Sequence, residues 1–503
     1  APPGEVDRRK GVYAPAFVEL VRRICGRAKF PEGHEAWDQS KRSEFKESRQ
    51  AVADTLKAAA SVAGGANVLL QLAQGLEALG QALQNQAGGA GVLPADWRTP
   101  EAALYCIRSV AGSVPFGSPV AMQLLQLLTR LPAGAPAEVR YTAVLVVQKF
   151  APLLADAARR GPEGQALLEP VCALVLRALA PGAGLAGDAT LGVQVAESRK
   201  FWEWEAADAA SSALYNVCAD CAAELLAVGA LPALVGAFCT RLSAEAQGSP
   251  EAPAAACGFG VIEEMAKAVC VAARMQPPDG VASTANEMVR ALGQALEALL
   301  RRAQATSDCY GISQTLDGLH SVFDRLKDFN EALAGAFEQL WPLLSGTLGM
   351  AQAEDWVIER LCRLLKAALR GLGHQRAAGT LPAVCPAIGQ AFATRRHEAL
   401  LYVASECVRI VGALRQPDLG AAVAGMLDAM IDAAAGALAV PSAFNANPYL
   451  ADDTFLLSSV TLRHAPGLLL REGAPLARLT ASAAAGANVQ HRDAGTSLYA
   501  FLA

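Results

Sequence analysis

SEFKESRQAVADTLKAAASVAG (43–64) is followed, after Gly65, by ANVLLQLAQGLEALGQALQNQ (66–86), and these two runs decide the fold. In the first, Phe45, Val52, Leu56, Ala59 and Val62 fall along one stripe. In the second, Val68, Leu69, Leu72, Leu76, Leu79 and Leu83 do the same. Apolar residues recurring at three- and four-residue spacing mark amphipathic helices. Two such helices joined by a short turn cannot bury their apolar faces alone, so they must stack on further pairs.

Outward from this pair the pattern repeats. TPEAALYCIRSVAGSV (99–114) opens with a helix-start signal at Thr99 and Glu101, and EVRYTAVLVVQKFAPLLADAA (138–158) follows a Pro/Gly turn. No convincing period-two strand pattern appears. The sequence predicts roughly twenty helices in about ten pairs, each near the 40–47-residue period of HEAT or armadillo repeats. The expected fold is all-α, an α-solenoid of antiparallel helix pairs wound into a curved superhelix. It is read as one continuous array over residues 1–503 with no separate domains. Irregular insertions are expected near 84–97, 179–200 and 437–452, the second flexible and the third an ordered inter-helix loop.

Composition narrows the function classes. With 53% hydrophobic residues, the chain of 503 residues can bury a large surface, and disorder is excluded for most of it. A net charge of −5 argues against direct nucleic-acid binding, which needs a basic surface. The twelve cysteines sit mostly in apolar helical runs, a pattern of reduced, packed thiols. The uncharged run Leu225–Thr240 contains Pro232 and is shorter than the roughly 20 residues of a membrane span, so no membrane insertion is expected. The absence of a starting methionine and the apolar end SLYAFLA read as an internal piece of a longer protein.

Few motifs survive their context. GAGLAG (182–187) matches the dinucleotide fingerprint G-x-G-x-x-G, but the run before it is helical and offers no strand. Cys218 and Cys221 form a C-x-x-C pair without two further ligands nearby, and read as packed thiols rather than a zinc or redox site. No metal, cofactor or catalytic residue is expected, and the chain is not read as an enzyme. FWEWEAAD (201–208) reads as a helix start, with aromatics stapling it and acids near its positive end; the competing reading is an acidic-aromatic edge for a basic cargo.

EDWVIERLCRLLKAALRGLG (354–373) is the exception. Arg360, Arg363, Lys366 and Arg370 are spaced by three, three and four, within a sector of about 120° on a helical wheel. Val357, Leu361, Leu364, Leu365 and Ala368 occupy the opposite side. The cations form a ladder about 15 Å long. Guanidinium forks bind phosphate bidentately, so such a ladder suits phosphate or carboxylate groups. A merely solvated face is the alternative.

The order of segments resembles the importin-β superfamily of nuclear transport receptors, in particular its transportin-SR branch, the importers of serine/arginine-rich splicing factors. The resemblance rests on FKESRQAVADTL, TPEAALYCIRSVAGSV, EVRYTAVLVV, ASSALYNVCADC, FEQLWPLLSGTL, VIERLCRLLKAALRGLG and HRDAGTSLYAFL in that order. It implies a receptor shuttling between nucleus and cytoplasm, with Ran-GTP, nucleoporins and a phosphorylated Arg/Ser-rich cargo as partners. It also implies that Arg360, Arg363, Lys366 and Arg370 grip the cargo's phosphates, and that acids on neighbouring inner helices take its arginines. The branch favours arginine at the third rung. Lys366 keeps the charge and loses the planar fork. The main Ran surface is expected in repeats preceding this piece. A sister importin with other cargo, or a non-transport HEAT scaffold, are the alternatives.

Overall fold

The computed structural model describes residues 3–84, 96–179, 193–247, 260–306, 309–350, 354–473 and 475–503. Among them are twenty-four α-helices, three short 3-10 turns and no strand. The fold is the all-α solenoid expected, built from stacked helix pairs. Contacts divide the chain into two compact units, Ala1–Arg241 with Gly248–Gln276, and Leu242–Gln247 with Pro277–Ala503.

The first unit begins with α1 (Pro3–Ile24), α2 (Gln39–Ala63), α3 (Gly65–Gln74), α4 (Glu77–Gln84), α5 (Arg98–Val110) and α6 (Pro119–Leu128). It continues with α7 (Ala137–Arg160), α8 (Pro162–Leu179), α9 (Val193–Asp220), α10 (Ala222–Ala227), α11 (Leu231–Ala246, to Arg241 in this unit) and α12 (Val261–Ala273). Helices α1, α3, α6 and α8 pack side by side in one layer, and α2, α5, α7, α9 and α12 in the other. Cross-layer contacts such as α1 on α2 and α7 on α8 bury the stripes read from the sequence. Val52, Leu56, Val68, Leu69, Leu72, Leu76 and Leu79 are all buried.

The second unit runs α13 (Pro278–Thr306), α14 (Tyr310–Arg325), α15 (Asn330–Leu348), α16 (Asp355–Gly371), α17 (Gly373–Arg395) and α18 (Ala399–Leu414). Then come α19 (Pro417–Ala437), α20 (Pro441–Ala446), α21 (Pro448–His464), α22 (Gly467–Leu470), α23 (Leu476–Ala485) and α24 (Arg492–Leu502). One layer is α13, α15, α17, α19 and α23; the other is α14, α16, α18, α21 and α24. Each helix touches its predecessor in its own layer, roughly one repeat back along the chain.

Three local expectations need correction or completion. The run 66–86 is two helices, broken at Gly75, where a Cβ would stand 3.0 Å from that of Ala103 on α5. FWEWEAAD lies inside α9, which already begins at Val193, so Trp202 and Trp204 do not staple a helix start. The segment 437–452 contains the short helix α20, whose Phe444 is buried and stacks on Phe455 at 6.3 Å. Of the other two irregular stretches, residues 85–95 and 180–192, and with them GAGLAG, lie outside the described residues, while 193–200 are not an insertion but the first turns of α9.

Among the described helices, α19 is long and apolar enough to cross a membrane. Here it packs on α17, α18 and α23, and its Asp428 and Asp432 pair with Arg471 and Arg478, the latter at 2.7 Å.

Layer packing leaves no room at some glycines. A Cβ on Gly412 of α18 would lie 2.3 Å from the His464 carbonyl oxygen at the end of α21. That atom is backbone and cannot swing aside. Gly412→Ala is expected to lower stability by about 1–3 kcal/mol despite its better helix propensity, read as the shift in a denaturant melt.

Candidate anion-binding site

Helix α16 is set up by its sequence to expose one face. Asp355 lies in its first turn and Arg370 in its last, each favourable toward the helix dipole. Val357, Leu361, Leu364, Leu365 and Ala368 are fully buried, as expected, together with Ile358, Cys362 and Leu369. The helix sits between α14 and α18 in its layer and against α15 and α17 of the other. Arg360, Arg363, Lys366 and Arg370 therefore share the open face.

The ladder is not bare. Asp317, on α14, accepts from two rungs at once: Arg360 Nε on Oδ2 at 2.8 Å and Arg363 Nη2 on Oδ1 at 2.8 Å. Glu406, on α18, pairs through Oε1 with Arg370, and with Arg409 Nη1 at 2.6 Å. The carboxylates are buried, and the guanidiniums remain 31–56% exposed. Pairs this wet hold geometry more than they add stability, about 0–1 kcal/mol each. What they do is fix three forks in place and offset the repulsion between neighbouring rungs. Five cations against three carboxylates, Asp317, Glu406 and the exposed Glu359 of α16 itself, leave the strip positive.

Lys366 is held differently. Its Nζ stands over the Tyr402 ring at 5.2 Å. Burial, followed by nearby Asp453, pushes the Tyr402 phenol up to about 12, so it stays a neutral platform. Lys366, Arg363 and Tyr402 line a groove of about 690 Å³, with Arg395 and Arg396 and the carboxylates of Asp355, Glu359, Glu398, Asp452 and Asp453 among its other lining groups.

Asp453 is buried with Oδ1 unpartnered. Burial pushes it up to about 6; the Tyr402 hydrogen bond opposes this, and Asp452 and Glu398 add to it. Since the folded state holds this proton more tightly than an unfolded chain, this group makes stability fall as pH rises from about 4 to about 6. Asp453→Asn is expected to flatten that decline and raise stability at pH 7 by about 1–2 kcal/mol, measured by urea melts at pH 4.5 and 7.

Asp317, Glu406, Arg409, Tyr402 and Asp453 escaped the sequence reading. A usable signal was present: partners across neighbouring helices of one layer are one repeat apart. Arg360 and Arg363 lie 43 and 46 residues from Asp317, and Ser497 lies 45 from Asp452. A search for opposite charges one period from Arg360 and Arg363 finds Asp317; Glu406, 36 residues from Arg370, falls short of that period.

The other candidates are placed as follows in the fold. Cys218 and Cys221 are buried, and burial pushes both thiols up, Cys221 to about 12. Among the described residues no cluster of three or more metal-ligating side chains occurs. In FWEWEAAD, Trp202 packs edge-on to Phe30 at 5.5 Å and Glu203 pairs with Arg140.

Comparison with known proteins finds relatives of the whole chain and of the stretch around α16. Residues 332–438, which include all of α16, match the family model described as the Transportin-3/Importin-13 fourth TPR domain. The chain is 25% identical over 501 residues to Transportin MOS14 of Arabidopsis thaliana, covering 99% of this chain and 47% of the relative. It is 24% identical over 421 residues to an uncharacterised protein of Schizosaccharomyces pombe, covering 80% of this chain and 39% of the relative. The chain thus spans less than half the length of these relatives. Yeast importin-beta (Kap95p) has a likeness in structure at a TM-score of 0.31 and 12% identity, covering 96% of this chain and 66% of that one, a level that says nothing of function. The family model and the plant transportin thus point to a likeness with the importin-β/transportin nuclear transport receptors.

Proposed function

We propose that this chain is the cargo-binding part of a nuclear import receptor, taking a phosphorylated Arg/Ser-rich segment along the open face of α16. Arg360, Arg363, Lys366 and Arg370 bind the phosphates, and Ran-GTP releases the cargo in the nucleus. On this reading the receptor shuttles between cytoplasm and nucleus, passes nucleoporins, and meets Ran mainly through repeats outside this chain.

The observation that carries the proposal is the ladder itself: four cations on one exposed helix face, three of them with forks held by buried carboxylates. Positively charged, pre-oriented forks match the dianionic oxygens of a phosphate monoester. The groove's carboxylates, Asp452, Asp453 and Glu398, suit the arginines that alternate with phosphoserine in such a segment. Of the acids on neighbouring helices, Asp317 and Glu406 are already engaged by the rungs, which leaves this part to the groove's carboxylates.

Fluorescence anisotropy with a labelled Arg/Ser peptide tests it. The phosphorylated form is expected to bind at least about 30-fold more tightly than the unphosphorylated one at 0.15 M salt. Equal affinities contradict the cargo assignment.

A further inference from the structure

The C-terminus of α17 is capped by Arg396 with φ +54°, in the left-handed region. Helices that end this way usually place glycine there, because a Cβ strains the conformation. Its backbone N–H donates to the Phe392 carbonyl at 2.8 Å, so the cap is well formed in spite of the side chain. A strained non-glycine residue invites the question of what its side chain does.

Arg396 is exposed and lines the groove beside α16, together with Arg363 and Lys366. The groove's other cations are engaged: Arg363 with Asp317, Lys366 with the Tyr402 ring, and Arg395 with the Met350 carbonyl. For the Arg396 side chain no hydrogen bond or ion pair is found among the described residues. Its five N–H donors therefore remain open to a ligand.

We infer that Arg396 is a further anion-binding residue of this groove, which together with Lys366 takes one phosphate monoester of a phosphoserine-containing segment. The inference rests on the phosphopeptide reading and adds to it a residue on a different helix. It also supplies a planar fork to the groove that the one rung without such a fork, Lys366, lines. Five carboxylates share the groove: Asp355, Glu359, Glu398, Asp452 and Asp453. They repel an isolated phosphate ion and admit a phosphate flanked by cations.

Arg396→Gly separates binding from folding, because glycine is at ease in the left-handed region. Arg415, which caps α18 with φ +53° and does not line this groove, gives the matched control Arg415→Gly. With the phosphorylated Arg/Ser peptide, Arg396→Gly is expected to lose about 5- to 10-fold in affinity. Its melting temperature should be unchanged or raised. Arg415→Gly should show the same thermal behaviour with affinity within about two-fold of the parent chain. Inorganic phosphate at millimolar concentration should not displace the peptide; displacement contradicts the requirement for flanking cations. If the parent chain discriminates the phosphopeptide but Arg396→Gly binds it equally well, the inference fails and the cargo reading stands. If the parent chain does not discriminate, both fail. A melting temperature lowered in Arg396→Gly alone overturns the assignment of this side chain to a ligand and makes it structural.

Discussion

Replacing Arg360, Arg363 and Arg370 together by glutamine is expected to weaken a multiply phosphorylated Arg/Ser peptide by at least about 100-fold, read by anisotropy titration. A charge-assisted hydrogen bond contributes about 1.5–3 kcal/mol when dry, and these forks are half exposed. Discounting each to about 1 kcal/mol or slightly more still sums to at least about two decades in affinity. The folded state should survive. Glu406 keeps Arg409 at 2.6 Å, but Asp317 loses both its partners. Adding Asp317→Asn to the triple variant removes that buried carboxylate. Binding should remain lost in the quadruple variant while any fall in melting temperature is recovered. A triple variant that binds as tightly as the parent chain would show that the ladder is only a solvated face.

The largest effect on stability is expected far from that helix, at Arg49 on α2. Its Nε donates to the Ala28 carbonyl at 3.0 Å, and its Nη2 meets Glu101 Oε2 at 2.5 Å. The guanidinium lies over the rings of Phe30, Phe45 and Tyr105 at 4.5, 5.2 and 4.2 Å. Glu101 is completely buried, with Thr142 donating to its other oxygen at 2.6 Å. Burial raises its carboxyl against the pull of Arg49. Arg49→Ala leaves that carboxylate in a low-dielectric site with only Thr142, and is expected to cost about 3–5 kcal/mol in a denaturant melt. The double variant Arg49→Met, Glu101→Leu removes both charges and should recover most of the loss. If Arg49→Ala costs under about 1 kcal/mol, the pair is not the clamp across α2, α5 and α7 described here.

Much of this was legible in the sequence because the solenoid is local. Each helix shows its own apolar stripe, and α16 buries all five positions the wheel assigned to its inner side. The exposed ladder follows from the same wheel. What the wheel cannot show is the neighbour. Asp317 stands in ISQTLDGLH and Glu406 in LYVASECVRIV, where a lone acid in an apolar run looks unremarkable. Only the stacking of α14, α16 and α18 makes them the ladder's counter-charges. One break was missed at Gly75, a poor helix former in a run of good ones, where the approach of Ala103 on α5 leaves a Cβ only 3.0 Å of room. FWEWEAAD looked like a start because aromatic and acidic residues favour helix entry, yet Trp202 is there to pack on Phe30 and Tyr141. The left-handed cap at Arg396 had no signal at all, since glycine is the residue that announces such a turn.

The most direct test of phosphate recognition by α16 is a double-mutant cycle that crosses peptide phosphorylation with the ladder. Four dissociation constants are measured at one salt concentration: parent chain and Arg360/Arg363/Arg370→Gln, each with phosphorylated and unphosphorylated peptide. The gain from phosphorylation is predicted to be at least about 30-fold in the parent chain and to shrink to under about 3-fold in the variant. A gain that is the same size in both would contradict the account, because the phosphates would then be held somewhere else.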